Sequence, residues 1–485
     1  MELPTRIAAL ALALLGVCLS HPAAALEGEP YIHDPSTVAY ENGKFYVFGT
    51  GSGGLISDDG GWTWHGGAVR PGGGVAPDVI KIGDRFWVSY AVGGGGMSGG
   101  HASNVHVMWT KTLDPKSADF GFHDDTVVAS SNGIEDADAI DPAFLYTQDH
   151  LWISYGTYFG FTRILELDPR TGKALPGSKP VDAAIDMEAT DLIFRDGWYY
   201  LLGTHGTCCD GANSTYNIRV GRSRKPTGPY VDKMGIPLLK GGGTLVVAAS
   251  GRHIGPGHFG RLVLGEGVEK FSCHYEADLD RGARSVLDIR PLLWKDGWPV
   301  GGDNFPPGTY EIQSQRSGGA LELGVDFVRM AGGRGGFGAG RNAPGPVVPV
   351  PNQQLSQVQP DWPAGNIEIR LDDYMVRPSQ QWTITPVANV GGYLGQPFFR
   401  ITIAGTERAL AITPGGQLVA TPAYDGSPEQ LWQIDQLTDG TYRIQPKVMA
   451  DPNAPVVLTA IGSSTPALAR FRPGSDASRW NFRTP

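Results

Sequence analysis

The chain has 485 residues, 41% of them hydrophobic, with 69 glycines and 37 prolines. That length calls for two or more domains, and the apolar fraction excludes a disordered protein. The formal net charge is −10, from 49 acidic and 39 basic residues without a basic stripe. Nothing is therefore arranged to neutralise phosphates, which excludes a nucleic-acid partner.

The first element is a leader. Arg6 precedes an apolar run from Ile7 to Leu19, and Ala23-Ala24-Ala25 offers small residues for cleavage. Residues 1–25 thus read as a secretory signal, too short in their apolar part to span a bilayer. A secreted protein, extracellular or periplasmic, with no membrane partner is expected. Beyond the leader remain Cys208, Cys209 and Cys273, an odd count and no disulfide framework. The neighbours Cys208 and Cys209 are open to two readings, a vicinal disulfide or a reduced packed pair.

A loose repeat follows. "IHDPSTVAYENGKFYVFGTG" from Ile32, "APDVIKIGDRFWVSYAVGG" from Ala76 and "IDPAFLYTQDHLWISYGTY" from Ile140 share one plan. "MEATDLIFRDGWYYLLGTH" from Met187 repeats it, and the segment from Pro256 to Asp278 does so more loosely. Each has an acidic residue or its counterpart, an apolar run, a two-residue turn, and an aromatic-rich alternating run. Such turns between alternating runs signal hairpins, and repeats of this kind read as propeller blades. The expectation is an all-β chain with a five-bladed β-propeller over 26–304.

A Gly/Pro-rich stretch at about 330–366 reads as an insertion. Around it, "SQQWTI", "EQLWQI" and "SRWNF" place Trp382, Trp432 and Trp480 about 50 residues apart. Residues 305–485 are therefore expected to form a small threefold β-domain.

The repeat supplies the candidate chemistry. Asp34, Asp78, Asp141 and Glu188 stand near the mouths of the innermost strands. Any one alone reads equally as an Asx-type turn. Together they converge on one pore mouth, where like charges raise at least one pKa and separate an acid from a base.

"HDPS", "IDPAF", Glu188 in "DMEATDLIF" and "CHYEADLDRGARSVLDIRPLLWKDGWPV" resemble glycoside hydrolase family 43. "CCDGANSTYNIRVGRSRKPTGPY", "ELDPRTGK" and "IGPGHFG" are similar to its endo-α-1,5-L-arabinanases. The resemblance covers about residues 30 to 300 and implies a propeller that hydrolyses α-1,5-arabinan with inversion. It implies Asp34 as general base, Asp141 as pKa modulator and Glu188 as general acid. It places His274 near the axis, where one calcium or other metal ion is expected as a cofactor. Asp78, Phe159, His205 and His258 are the expected substrate-binding residues. Asn213, Ser214 and Tyr216 are expected to hold loop structure at the rim. The chain departs from the arabinanase pattern at "TYFGF", at His205-Gly206 and just after Glu188, changes that touch subsites. They leave endo against exo action open.

The Q-x-W signature at Gln380–Trp382 and Gln430–Trp432 resembles ricin-type β-trefoil lectin modules, with Ser478 in the glutamine position of the third copy. That resemblance implies a carbohydrate-binding module. The expected partner is arabinan or a related plant cell-wall polysaccharide, handled by a monomer. The alternatives are an exo-acting β-xylosidase or α-L-arabinofuranosidase, or a propeller whose acids only bind sugar.

Overall fold

The computed structural model describes residues 26–94, 100–133, 138–325, 362–449, 451 and 454–485. The expected leader at 1–25 and most of the Gly/Pro-rich insertion lie outside the described residues. Among the described residues, no helix is long and apolar enough to cross a membrane.

Turn chemistry sets the strand pattern. Asn42-Gly43, Gln148-Asp149, Asp196-Gly197, Glu266-Gly267 and Asp296-Gly297 all take positive φ at both positions, between 49° and 85°. These two-residue turns twist the same way as the strands they join. Together with the Gly83-Asp84 turn of the second blade, they give five sheets of antiparallel hairpins. The innermost strands are Ala39–Glu41, Val75–Ile82, Ala143–Thr147, Glu188–Arg195 and His253–Gly265. Adjacent sheets pack face to face, as Trp87, Val105 and Val107 of the second do against Phe144, Ile153 and Leu165 of the third. The result is the expected five-bladed propeller.

The ring is closed by the N-terminal segment. Glu27–Gly28 adds a parallel strand to Thr63–Val69 of the first blade. Tyr31 bridges to Val286 of the fifth, where Leu287 N–H donates to Pro30 O at 2.7 Å.

The described residues from Gly308 onward form the β-trefoil, and its threefold character is visible atom by atom. The Nε1 atoms of Trp382, Trp432 and Trp480 donate to the carbonyls of Leu321, Leu410 and Leu458 at 2.8, 2.9 and 2.9 Å. All three indoles are fully buried, so they serve the core and not a sugar. Gln380 and Gln430 each close a local loop, accepting from Met375 N–H and Asp425 N–H. In the third lobe Ser478 instead meets Thr459 through their hydroxyls at 2.8 Å.

The trefoil docks on one end of the propeller. Leu394 N–H donates to Gly60 O at 2.6 Å, and Thr438 N–H to Gly267 O at 2.9 Å. Lys270 Nζ donates to Leu394 O and lies 3.6 Å from Asp435, which also pairs with Arg443 at 2.8 Å. The turns at Gly60 and Gly267 follow strands that run away from the pore mouth. The trefoil therefore covers the end of the propeller opposite the acids.

Candidate functional site

Five residues hold equivalent places at the mouth, one per blade: Asp34, Ala76, Asp141, Ala189 and His258. Each has left-handed φ, between 46° and 59°, a conformation that costs a non-glycine residue of order 1 kcal/mol or more and gathers at functional sites. Register shifts interrupt the strand pairing around Ala76, Ala189 and His258, and such bulges re-aim side chains. This corrects the expected grouping of the acids. Asp78 lies two residues deeper than Asp34, and Glu188 one residue before its blade's kink.

Depth decides what Asp78 does. Its Oδ1 accepts from Thr37 N–H at 3.0 Å and its Oδ2 from Phe144 N–H at 2.8 Å. It ties the first blade to the third and is buried. The expectation that it shapes the substrate cleft fails, because both carboxylate oxygens are already engaged by amides.

Asp34 stands among imidazoles. His33 Nδ1 is 2.9 Å from its Oδ2, His258 Nδ1 is 3.3 Å from its Oδ1, and Thr50 Oγ1 donates to Oδ2. Burial alone would raise its pKa, but His258 and His33 outweigh that and hold it well below the usual carboxylate range. Burial pulls His33 down, yet its bonds to Asp34 and Glu276 push it up to about 10. His258 is raised as well, against burial, by Asp34 and then Asp141. Hydrogen bonds and charge from His258 and then His33 hold Asp34 in its ionised form.

Glu188 experiences the reverse. Burial, joined by the charges of Asp34 and Glu276, raises it from 4.5 to about 7 although Tyr216 and Thr157 donate to it. Tyr216 Oη donates to Oε1, and Thr157 Oγ1 to Oε2 at 3.4 Å. Asp141 accepts from Ala189 N–H at 3.2 Å, the residue after Glu188. Burial and then the charge of Glu188 push Asp141 well above its ordinary value. Repulsion keeps this buried pair from ionising together, so it titrates as a unit. The expected effect of Asp141 on Glu188 is seen in the other direction: Glu188 acts on Asp141, while the charges raising Glu188 come from Asp34 and then Glu276.

His274 is fully buried and stacks on His33 with ring centroids 4.6 Å apart. Asp34 N–H donates to its Nδ1 at 2.9 Å. An amide can only donate, so Nδ1 is the unprotonated nitrogen and Nε2 carries the hydrogen. Burial lowers the pKa of His274 and keeps the ring neutral. Nε2 is 3.3 Å from Glu276 Oε1 but not aligned for a hydrogen bond. His33, Asp34 and His274 do bring potential ligand atoms within 4.8 Å of one another. Binding a cation there would require the ligating imidazoles to give up their protons. The metal expected at His274 would draw on these three residues.

Around this centre, Phe159 is 39% exposed beside Tyr158, whose hydroxyl is raised by burial and then by Glu188 and Asp141. Phe159 therefore offers an aromatic face near the acids. His205 ends the second strand of the fourth blade, its Nδ1 2.7 Å from Asp186 O. His258 meets the base itself. Cys208 and Cys209 are joined as a disulfide, and Cys209 N–H donates to Glu276 Oε2 at 3.2 Å. Cys273 is free and buried.

Sequence reasoning missed His33, Glu276, Thr50 and Thr157, and gave Tyr216 only a loop role. Two carried a local signal: His33 adjoins Asp34, and Glu276 shares a strand face with His274 at a spacing of two.

The model of glycosyl hydrolases family 43 matches residues 52–299, and that of the ricin-type beta-trefoil lectin domain-like family matches 378–450. Extracellular endo-alpha-(1->5)-L-arabinanase 1 of Bacillus subtilis is 31% identical over 229 residues, 46% of this chain and 67% of its own length. Extracellular exo-alpha-(1->5)-L-arabinofuranosidase ArbA of Cellvibrio japonicus is 31% identical over 303 residues, 55% of this chain and 85% of its own. The crystal structure of an exo-1,5-alpha-L-arabinanase from a bovine ruminal metagenomic library superposes with a TM-score of 0.51 at 30% identity. That match covers 56% of this chain and 97% of the other.

Proposed function

The chain belongs to glycosyl hydrolases family 43, and from that premise we propose that it is a secreted enzyme cleaving α-1,5-L-arabinofuranosidic bonds of arabinan with inversion, in the endo mode. The observation that carries the division of labour is electrostatic. Two imidazoles hold Asp34 ionised, while burial keeps a proton on Glu188 up to about 7.

In this reading Asp34 takes a proton from a water that attacks the anomeric carbon. Glu188 gives its proton to the departing glycosidic oxygen as the C–O bond breaks, so the electron pair leaves with a neutralised group. Asp141 holds the backbone just after Glu188 through the Ala189 amide. Phe159 offers a ring against a sugar face. Export fits the leader-like residues 1–25 and the extracellular naming of both relatives.

Purified protein incubated with linear arabinan, xylan and aryl arabinosides tests this reading. Short arabino-oligosaccharides from arabinan are expected. Arabinose alone would replace the endo mode by exo cleavage, and polysaccharide binding without turnover would overturn the catalytic assignments.

A further inference from the structure

We propose that Tyr216 is a positioning residue for the proton donor: its hydroxyl, donated to Glu188 Oε1, confines the transferable proton to Oε2 and steadies the carboxylate left behind. The inference rests on Glu188 being the general acid.

A protonated carboxyl can carry its hydrogen on either oxygen. Tyr216 Oη donates to Oε1, which leaves that oxygen an acceptor. The phenol keeps its hydrogen available to Oε1, because burial and the charge of Glu188 hold its own ionisation well above the ordinary tyrosine value. Among the described residues, Oε2 has a hydrogen bond with the Thr157 hydroxyl at 3.4 Å, which can turn to accept in the resting state. When the proton leaves Oε2 for the glycosidic oxygen, the tyrosine bond becomes one to an anion and strengthens. It is then worth more as the bond breaks than before, which is the condition for lowering the barrier. The other charged and titratable groups facing Glu188 are Asp34, Asp141, Glu276 and Tyr158. None of them is a hydrogen-bond partner of its carboxyl.

The fold is shaped to hold this phenol. Tyr216 is buried and stacks over His274 with centroids 6.4 Å apart. A Cβ on Gly257 would lie 2.8 Å from its ring, and one on Gly255 would lie 2.6 Å from Ser214 Oγ. The glycines of "IGPGHFG" thus make room for "NSTY". Ser214 Oγ in turn donates to Thr207 O at 2.8 Å and accepts from Tyr216 N–H. These contacts go beyond a rim loop holding its own shape.

The test compares the whole enzyme with Tyr216→Phe and Glu188→Gln on aryl α-L-arabinofuranosides of graded leaving-group acidity. Tyr216→Phe is expected to lower kcat about 10- to 100-fold on poor leaving groups, much less on activated ones, with KM little changed. Should that variant fail to fold, 3-fluorotyrosine at position 216, a stronger donor of nearly the same size, is expected to flatten the leaving-group dependence. An equal loss on every substrate, or no loss, would overturn the role of Tyr216. Poor-leaving-group hydrolysis at full rate in Glu188→Gln would instead remove the acid assignment on which it rests.

Discussion

Raising the pH through neutrality should switch hydrolysis off. Burial moves Glu188 from 4.5 to about 7, so its proton is present below that value and lost as pH rises through it. At a pH of about 6, roughly nine-tenths of such a group would carry a proton, against roughly 3% for an ordinary glutamic acid, a gain of about 30-fold in active acid. At a pH of about 8 only roughly one-tenth would remain. Asp34 moves the other way, well below the usual range, so the base stays ionised through mildly acidic conditions. The profile of kcat/KM on linear arabinan should therefore be broad on its acid side and fall tenfold per pH unit above about 7. Because Glu188 is coupled to Asp141, that limb reports the pair. In Glu188→Gln, assayed on an activated aryl arabinoside, the alkaline limb should disappear. A wild-type profile level to a pH of about 9, or the same limb in the variant, would refute the reasoning.

Asp34→Asn should reduce kcat by about 10²- to 10⁴-fold while arabino-oligosaccharides still bind, as calorimetry would show; retained turnover contradicts the base. Asp78→Asn should leave kcat nearly intact yet cost about 1–3 kcal/mol of stability, since one amide of Thr37 and Phe144 loses its acceptor. Thermal unfolding and initial rates separate those outcomes. Asp435→Ala strands Lys270, whose side chain is 1% exposed at the junction, and should destabilise the protein by about 3–5 kcal/mol. A double change, Lys270→Met with Asp435→Leu, should recover the share due to Lys270 in the same melting experiment, while Arg443 keeps only Glu266 as its partner.

The propeller was legible because its turns are local chemistry: Asn42-Gly43 and Asp196-Gly197 announce hairpins whatever surrounds them. The trefoil was legible for a similar reason, as Gln380 and Gln430 act within a few residues of themselves. Register at the pore mouth was misjudged by charge. Aligning on proline would have paired Asp34-Pro35 with Ala76-Pro77 and Asp141-Pro142, leaving Asp78 out of the ring. The tautomer of His274 depends on the amide of Asp34, 240 residues away, and no spacing announces it. Tyr216 was underread for the same reason: its target belongs to another strand, and the glycines that admit it belong to a third.

The docking of the trefoil has a consequence for how a polymer meets this enzyme. From His258 to the turn at Glu266 the chain runs eight residues along one strand, about 25 Å, and the trefoil begins beyond that turn. Were the trefoil to hold a glycan, that glycan would point away from the cutting face. One strand could satisfy both only by bending round the flank, whereas two strands of a mesh could do so without bending. The appended domain would then act as a mooring that prolongs residence in a network and raises the local density of bonds. It would leave unchanged which bond is cut, and short soluble oligosaccharides would be indifferent to it.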